Sequence, residues 1–169
     1  KNSRFHPNLQ ILWIEGYDIL QEETVWLPYE VVHASAITPS PTGSGCFSST
    51  SNGLASGNAP HEALLHGICE VVERDAASVW AMQSLERREA TRVDPDSVDD
   101  PGCQEVISRC RQAGVAVLIW EITSDIGLPA YLCRVVDRVR DSLGSIRSFT
   151  GMGCHTTRSI ALLRALTEA

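Results

Sequence analysis

Residues 51–75 read SNGLASGNAPHEALLHGICEVVERD. Small residues and glycines run into Pro60, and a helix-like pattern follows. Proline suits the first helical turn because its missing N–H would have no partner there. Glu62 then falls in the first turn, where the helix dipole favours negative charge. Leu64, Leu65, Ile68, Val71, Val72 and Val79 recur at helical spacing, which predicts a helix from about Pro60 to about Leu85 with these residues as its apolar stripe. Glu62, His66, Glu70 and Glu73 follow at steps of four, four and three, which predicts a polar stripe roughly opposite Ile68 and Val72.

Toward the N-terminus, LQILWIEGYDIL and TVWLPYEVV read as two strands joined by the polar QEE. A Ser/Thr/Pro/Gly-rich segment from Ser35 to Asn58 separates them from the helix, and loops of that length inside a domain are often functional. Beyond the helix, REATRVDPDSVDDPG reads as a polar connection and CQEVISRCRQAG as an amphipathic helix closed by Gly114. VAVLIWEI and PAYLCRVVDRV read as strands, SFTGMGCH as a second glycine loop, and the remainder from about Thr157 as a last helix. The alternation predicts a mixed α/β (α+β) fold, a sheet with packed helices. The order of strands within the sheet is not legible from it.

The 169 residues suffice for one domain with a core, at 43% hydrophobic and 21% charged. A net charge of -7 leaves no basic footprint for a nucleic-acid backbone. No apolar run approaches the roughly 20 residues that span a bilayer. The start lacks a signal-peptide core and an initiator Met, and IALLRALTEA stops inside a helical pattern, so a piece of a longer domain is expected. Six cysteines include no CxxC pair, which predicts reduced, mostly buried thiols in a cytoplasmic protein.

Two readings of the helix's charged face stay open on spacing alone. One is a solvated face, with Glu70 helped by Arg74 four residues on. The other is a cation–phosphate site. Gly53 and Gly57 would let the loop backbone approach a ligand, and the helix N-terminus suits an anion. Two carboxylates beside such a cradle suit Mg²⁺ bound to phosphates. The loop carries neither GK[ST] nor GxGxxG. The second glycine loop, GMGCH, leads to Arg164 and Glu168, which read either as a helix ion pair or as a phosphate contact and a third metal carboxylate. His61 and His155 read as capping or surface residues, and His66 with Glu70 lacks a third zinc ligand.

The string SSTSNGLASGNAPHEALLHGICEVVERDA resembles the first motif of the YcaO family, and FTGMGCHTTRSIALLRALTEA resembles its second. WIEGYDILQEETVWLPYEVV resembles the family's entry strands, so the likeness runs over nearly the whole chain. The resemblance implies a partial YcaO domain over residues 1–169, its N- and C-terminal portions missing. It implies ATP and Mg²⁺ as cofactors, with Glu70, Glu73 and Glu168 on the metal and Ser51, Asn52, Gly53, Arg74 and Arg164 at the nucleotide. The family's second motif continues with a Glu or Gln three residues after Glu168, beyond this chain. Where some members carry Ser, this chain carries His66, so that nucleotide contact is open.

The implied reaction is ATP-dependent phosphorylation of a peptide backbone amide, leading to an azoline with a neighbouring Cys, Ser or Thr, or to a thioamide with sulfide. Positioning ATP and neutralising its phosphates is most of what such a transfer requires, so no catalytic side chain is assigned. The implied partners are a precursor peptide or protein substrate and a TfuA-like or E1-like protein, with a homodimer compatible. The entry strands look most like TfuA-associated members, which leans toward thioamidation. The alternative is a non-catalytic scaffold of the same fold, and the 169-residue piece alone is expected to be inactive.

Overall fold

The computed structural model describes residues 5–34, 44–137 and 147–169. The first four residues, the start of the Ser35–Asn58 segment and the tail of the PAYLCRVVDRV stretch lie outside the described residues. The chain divides into two units, residues 1–54 and 55–169.

The first unit carries β1 (Trp13–Asp18) and β2 (Glu23–Pro28), paired antiparallel with Trp13 opposite Pro28 and Asp18 opposite Glu23. The second strand ends sooner than its apolar pattern predicts. Pro28 stops the ladder, and Tyr29–Val32 form one helical turn, α1. Proline cannot donate to a ladder, and its fixed φ suits a helix start.

In the second unit, α2 spans Pro60–Ala81 and starts at the expected proline. It ends four residues early, and a separate α3 (Leu85–Ala90) begins at Ser84, whose hydroxyl accepts from the Arg87 N–H. The polar connection holds a short strand β3 (Arg92–Val93) and a 3₁₀ turn (Pro95–Ser97). Helix α4 (Pro101–Gln112) is capped by Asp100, which accepts from the Cys103 N–H, and Gly114 follows it at φ +75. Strands β4 (Val115–Glu121) and β5 (Ala130–Asp137) come next. The predicted second glycine loop is a strand, β6 (Ser148–Cys154), and α5 covers Arg158–Glu168.

The four strands lie in the order β3-β4-β5-β6, every pair antiparallel. Alternation along the strands sorts the core into two layers. Ile119, Tyr131 and Cys133 face α4 and α5, through Cys103, Ile107, Ala161, Leu162, Ala165 and Leu166. Trp120, Ile122, Ala130 and Leu132 face α2, through Cys69, Val72 and Ala76. Helices therefore cover both faces of the sheet.

This packing corrects the predicted stripe of α2. The buried positions are Gly67, Cys69, Val72, Glu73 and Ala76. Leu64, Ile68, Val71 and Val79 are 44–49% exposed. Apolar residues occupy most of the helix circumference, and the sheet takes the side whose small residues allow close approach.

Candidate functional site

Gly151 and Gly153 decide where α5 lies. A Cβ on Gly153 would stand 2.1 Å from the Ala161 carbonyl oxygen, and one on Gly151 would stand 2.4 Å from that of Ala165. The two glycines therefore serve close helix–strand packing, in a run of sequence that composition reads as a loop. Ala161 and Ala165, fully buried, complete the contact.

That approach sets Glu168 beside the strand. Its carboxylate accepts a hydrogen bond from the Met152 N–H at 2.9 Å. Two residues along, the Cys154 N–H bears on Glu73 of α2 and acts to lower its pKa. Strand β6 is the last in the sheet, and N–H groups two residues apart point to the same side. The open edge of β6 thus gathers one carboxylate from each of two helices.

Glu73 is 8% exposed, the one buried charged residue among the described residues. Burial pushes its carboxyl above the ordinary range, and the nearby Glu168 charge adds to the rise. The Arg164 guanidinium, the Cys154 N–H and Arg74 oppose it. Arg164 also bears on the Cys154 thiol, so it belongs to the same cluster. Glu70 pairs with Arg74 at 3.3 Å, one turn along α2. The structure therefore brings Glu73, Glu168, Arg164 and Arg74 together, with Glu70 at the rim. No three His, Cys, Asp or Glu side chains stand ready around one ion among the described residues.

Two carboxylates are a reasonable set for Mg²⁺, which keeps several waters and takes one or two carboxylates plus substrate phosphates. The electrostatics fit as well. Buried Glu73 has the like charge of exposed Glu168 beside it, which favours a proton on Glu73 or a cation near the two.

Ser51, Asn52 and Gly53 lie in the first unit, in a turn closed by the Leu54 N–H on the Ser51 carbonyl at 2.9 Å. Gly53 takes φ +78, which glycine allows. Gly57 has a packing task. A Cβ there would stand 2.7 Å from the Ala63 nitrogen, so it makes room for the start of α2. The adjoining Asn58 N–H donates to Glu62 at 2.8 Å. His66 Nδ1 lies 3.2 Å from the Ser56 carbonyl and ties the loop to the helix. His155 Nδ1 accepts from the Thr157 N–H at 3.0 Å in the turn before α5, which has no side-chain cap.

The thiols offer no nucleophile at this site. Burial first pushes Cys154 up to about 12, with Cys69 and Glu73 adding to it, and Cys103 and Cys133 reach the same range. Sequence reasoning missed one polar cluster. Arg158 donates to both carboxylate oxygens of Glu121 at 2.8 Å and to the Tyr131 hydroxyl at 3.2 Å. Its partners lie 27 and 37 residues away, where no local pattern links them.

A relative from Rhizobium leguminosarum bv. trifolii, described as an uncharacterized protein in the tfuA 3' region, is 40% identical over 164 residues. That match covers 94% of this chain and 38% of the relative. A solved heterocyclase in complex with substrate and cofactor superposes at TM-score 0.79 with 28% identity, covering 98% of this chain and 21% of that one. The structure of YcaO from Methanopyrus kandleri bound with AMPPCP and Mg²⁺ shares the fold at TM-score 0.62 and 23% identity, over 99% of this chain and 42% of that one. The chain thus spans about two fifths of the length of the curated relatives it matches. The family described as "YcaO cyclodehydratase, ATP-ad Mg2+-binding" matches residues 1–169, and the chain belongs to the YcaO family.

Proposed function

We propose that the full-length protein uses ATP and Mg²⁺ to phosphorylate backbone amides of a peptide or protein substrate, in the course of azoline or thioamide formation. The observation that carries this reading is the pairing of Glu73 with Glu168 on the β6 edge, next to Arg164 and Arg74. When bound, Mg²⁺ neutralises phosphate charge and so eases phosphoryl transfer.

In this reading Glu73 and Glu168 hold the metal, and Glu70 joins them by releasing Arg74. Arg164 and Arg74 then face phosphate oxygens, for which a guanidinium fork is suited. Ser51, Asn52 and Gly53 supply backbone and hydroxyl contacts to the nucleotide. The 169 residues are taken as part of a single YcaO domain, and the rest of the site comes from outside them. The heterocyclase and the M. kandleri YcaO, with their cofactor and AMPPCP–Mg²⁺, support the cofactor assignment.

The partner proteins follow from the relative in the tfuA region, which favours a TfuA-like partner and a thioamide product. An E1-like partner and a homodimer are compatible with it. ATP dependence and buried reduced thiols fit a cytoplasmic setting. The test is calorimetric titration of the full-length protein with ATP and Mg²⁺. Saturable binding that is lost in Glu70→Gln/Glu73→Gln is expected, and binding that survives both substitutions overturns the site.

A further inference from the structure

A second cleft opens further along α2, between its C-terminal turns, the end of β4 and the loop that follows. Its volume is about 510 Å³, inside the range of ligand pockets. Val79 and the Trp80 indole form an apolar wall, and Gln83, Ser124 and Asp125 border it. The Trp80 Nε1–H is spent on the Thr91 hydroxyl at 3.1 Å.

Thr91, Glu121 and Thr123 also line the cleft and are hydrogen-bonded within the protein, whereas three other polar side chains there are not. Ser124 Oγ is buried and has no hydrogen-bond partner among the described residues. The side chains of Gln83 and Asp125 make no hydrogen bond or ion pair there either. Two more orphaned atoms, Arg88 Nε and Trp120 Nε1, belong to side chains packed on Trp80, whose ring lies 5.3 Å from the Arg88 guanidinium and 5.7 Å from the Trp120 ring. Of these atoms Ser124 Oγ lines the cleft, and buried polar atoms are ordinarily paired, so it marks a place where a ligand or water completes the structure. A hydroxyl, an amide and a carboxylate offer both donors and acceptors, the alternation that a polypeptide backbone presents.

Position adds to the match. Glu73 and Trp80 are seven residues apart and share one face of α2, about 10 Å along the axis. An extended chain covers that distance in about three residues. We propose that this cleft is a polypeptide subsite, which holds backbone groups of the substrate about three residues from the amide being activated. The inference rests on the peptide-activating function proposed above and names where that peptide is gripped.

The test uses the full-length protein labelled with ¹⁵N-tryptophan and, as probe, the blocked peptide acetyl-Gly-Cys-Gly-Cys-Gly-amide. The peptide is expected to shift the Trp80 indole resonance. Gln83→Ala and Asp125→Asn alter side chains at the cleft rim, and Ser124→Ala removes the buried hydroxyl. Each is expected to weaken peptide binding by about fivefold, the equivalent of one hydrogen bond, with ATP–Mg²⁺ affinity unchanged. An unmoved Trp80 signal, or full peptide affinity in all three variants, overturns the subsite. So does a Trp80 shift produced by adenosine and not by the peptide, which would make the cleft a nucleobase pocket. Failure of ATP–Mg²⁺ to bind the unaltered protein refutes the proposed function instead, and the two failures are read in separate titrations.

Discussion

Glu73 and Glu168 meet on the edge of one strand, the first beside the Cys154 N–H and the second 2.9 Å from the Met152 nitrogen. They come from helices on opposite faces of the sheet, 95 residues apart in the chain. The edge strand thus acts as the ruler that fixes their separation, and the close packing of α5 on β6 sets its precision.

Replacing Glu73 by Gln removes one of two like charges from a partly desolvated pair. The metal-free full-length protein is expected to melt higher, by about 2–4 °C for each kcal/mol recovered. Its ATP–Mg²⁺ affinity is expected to fall by at least about 10-fold, since even outer-shell partners of a metal carry that much. Thermal melts and calorimetry on the same variant give both numbers. A lower melting point with unchanged affinity would mean that Glu73 serves only the fold.

The pH dependence follows from the raised carboxyl of Glu73. An acid whose folded value is raised prefers its protonated form in the fold. Its contribution to stability is complete below the unfolded value and is lost as pH rises through the folded value. The metal-free protein is therefore expected to lose stability over that window. Mg²⁺ needs the ionised form, so binding expels a proton, and affinity climbs with pH until Glu73 ionises unaided. Calorimetry in two buffers of different ionisation enthalpy measures the proton directly. At a pH low enough for Glu73 to be protonated in the metal-free protein, binding without proton release would remove Glu73 from the metal.

Thiol reactivity separates the cysteines. Cys103, Cys133 and Cys154 are buried and pushed up to about 12, and Cys69 is buried as well. Cys46 and Cys110 are partly exposed. The thiolate is the reacting species. Iodoacetamide at pH 8 is expected to label Cys46 and Cys110 on the native protein, and the other four only after unfolding. Mass spectrometry of the labelled peptides checks the order, and early labelling of Cys154 would contradict the packing of α2 on the sheet.

The chain displayed its helix starts more plainly than its faces. Pro60, Glu62 and the apolar spacing located α2, because capping and dipole effects act within one turn. The spacing could not choose which side is buried, because Leu64, Ile68 and Val71 match Cys69, Val72 and Ala76 in apolar content. That choice belongs to the sheet. For the same reason, the stripe of Glu62, His66, Glu70 and Glu73 is split, with Glu73 facing β6 and Glu70 at the rim. The glycines of GMGCH misled for a related reason. Glycine marks both a turn and a backbone contact, and composition does not distinguish them. The alternation of Gly151 and Gly153, two residues apart on one face, was the available signal for a strand. Ser51, Asn52 and Gly53 are proposed for the nucleotide on the family likeness alone.

Gly153→Ala tests the close contact on which the carboxylate pair depends. The added Cβ would stand 2.1 Å from the Ala161 carbonyl and 2.7 Å from the Ala165 nitrogen, both backbone atoms of α5. Backbone atoms of a helix cannot step aside singly, so α5 must shift as a whole. Overpacking of this kind costs about 1–3 kcal/mol. A shift of α5 would also draw Glu168 away from Met152 and widen its distance from Glu73. Gly153→Ala in the full-length protein is therefore expected to lose both stability and ATP–Mg²⁺ affinity. Gly102→Ala is the control. Its nearest contact would be Asp100 Oδ1 at 3.2 Å, a side-chain atom that can move, where Gly153 meets helix backbone. Denaturant melts and calorimetry on the pair decide the matter: equal stability and equal affinity in the two variants would show that β6 and α5 are not in backbone contact at Gly153.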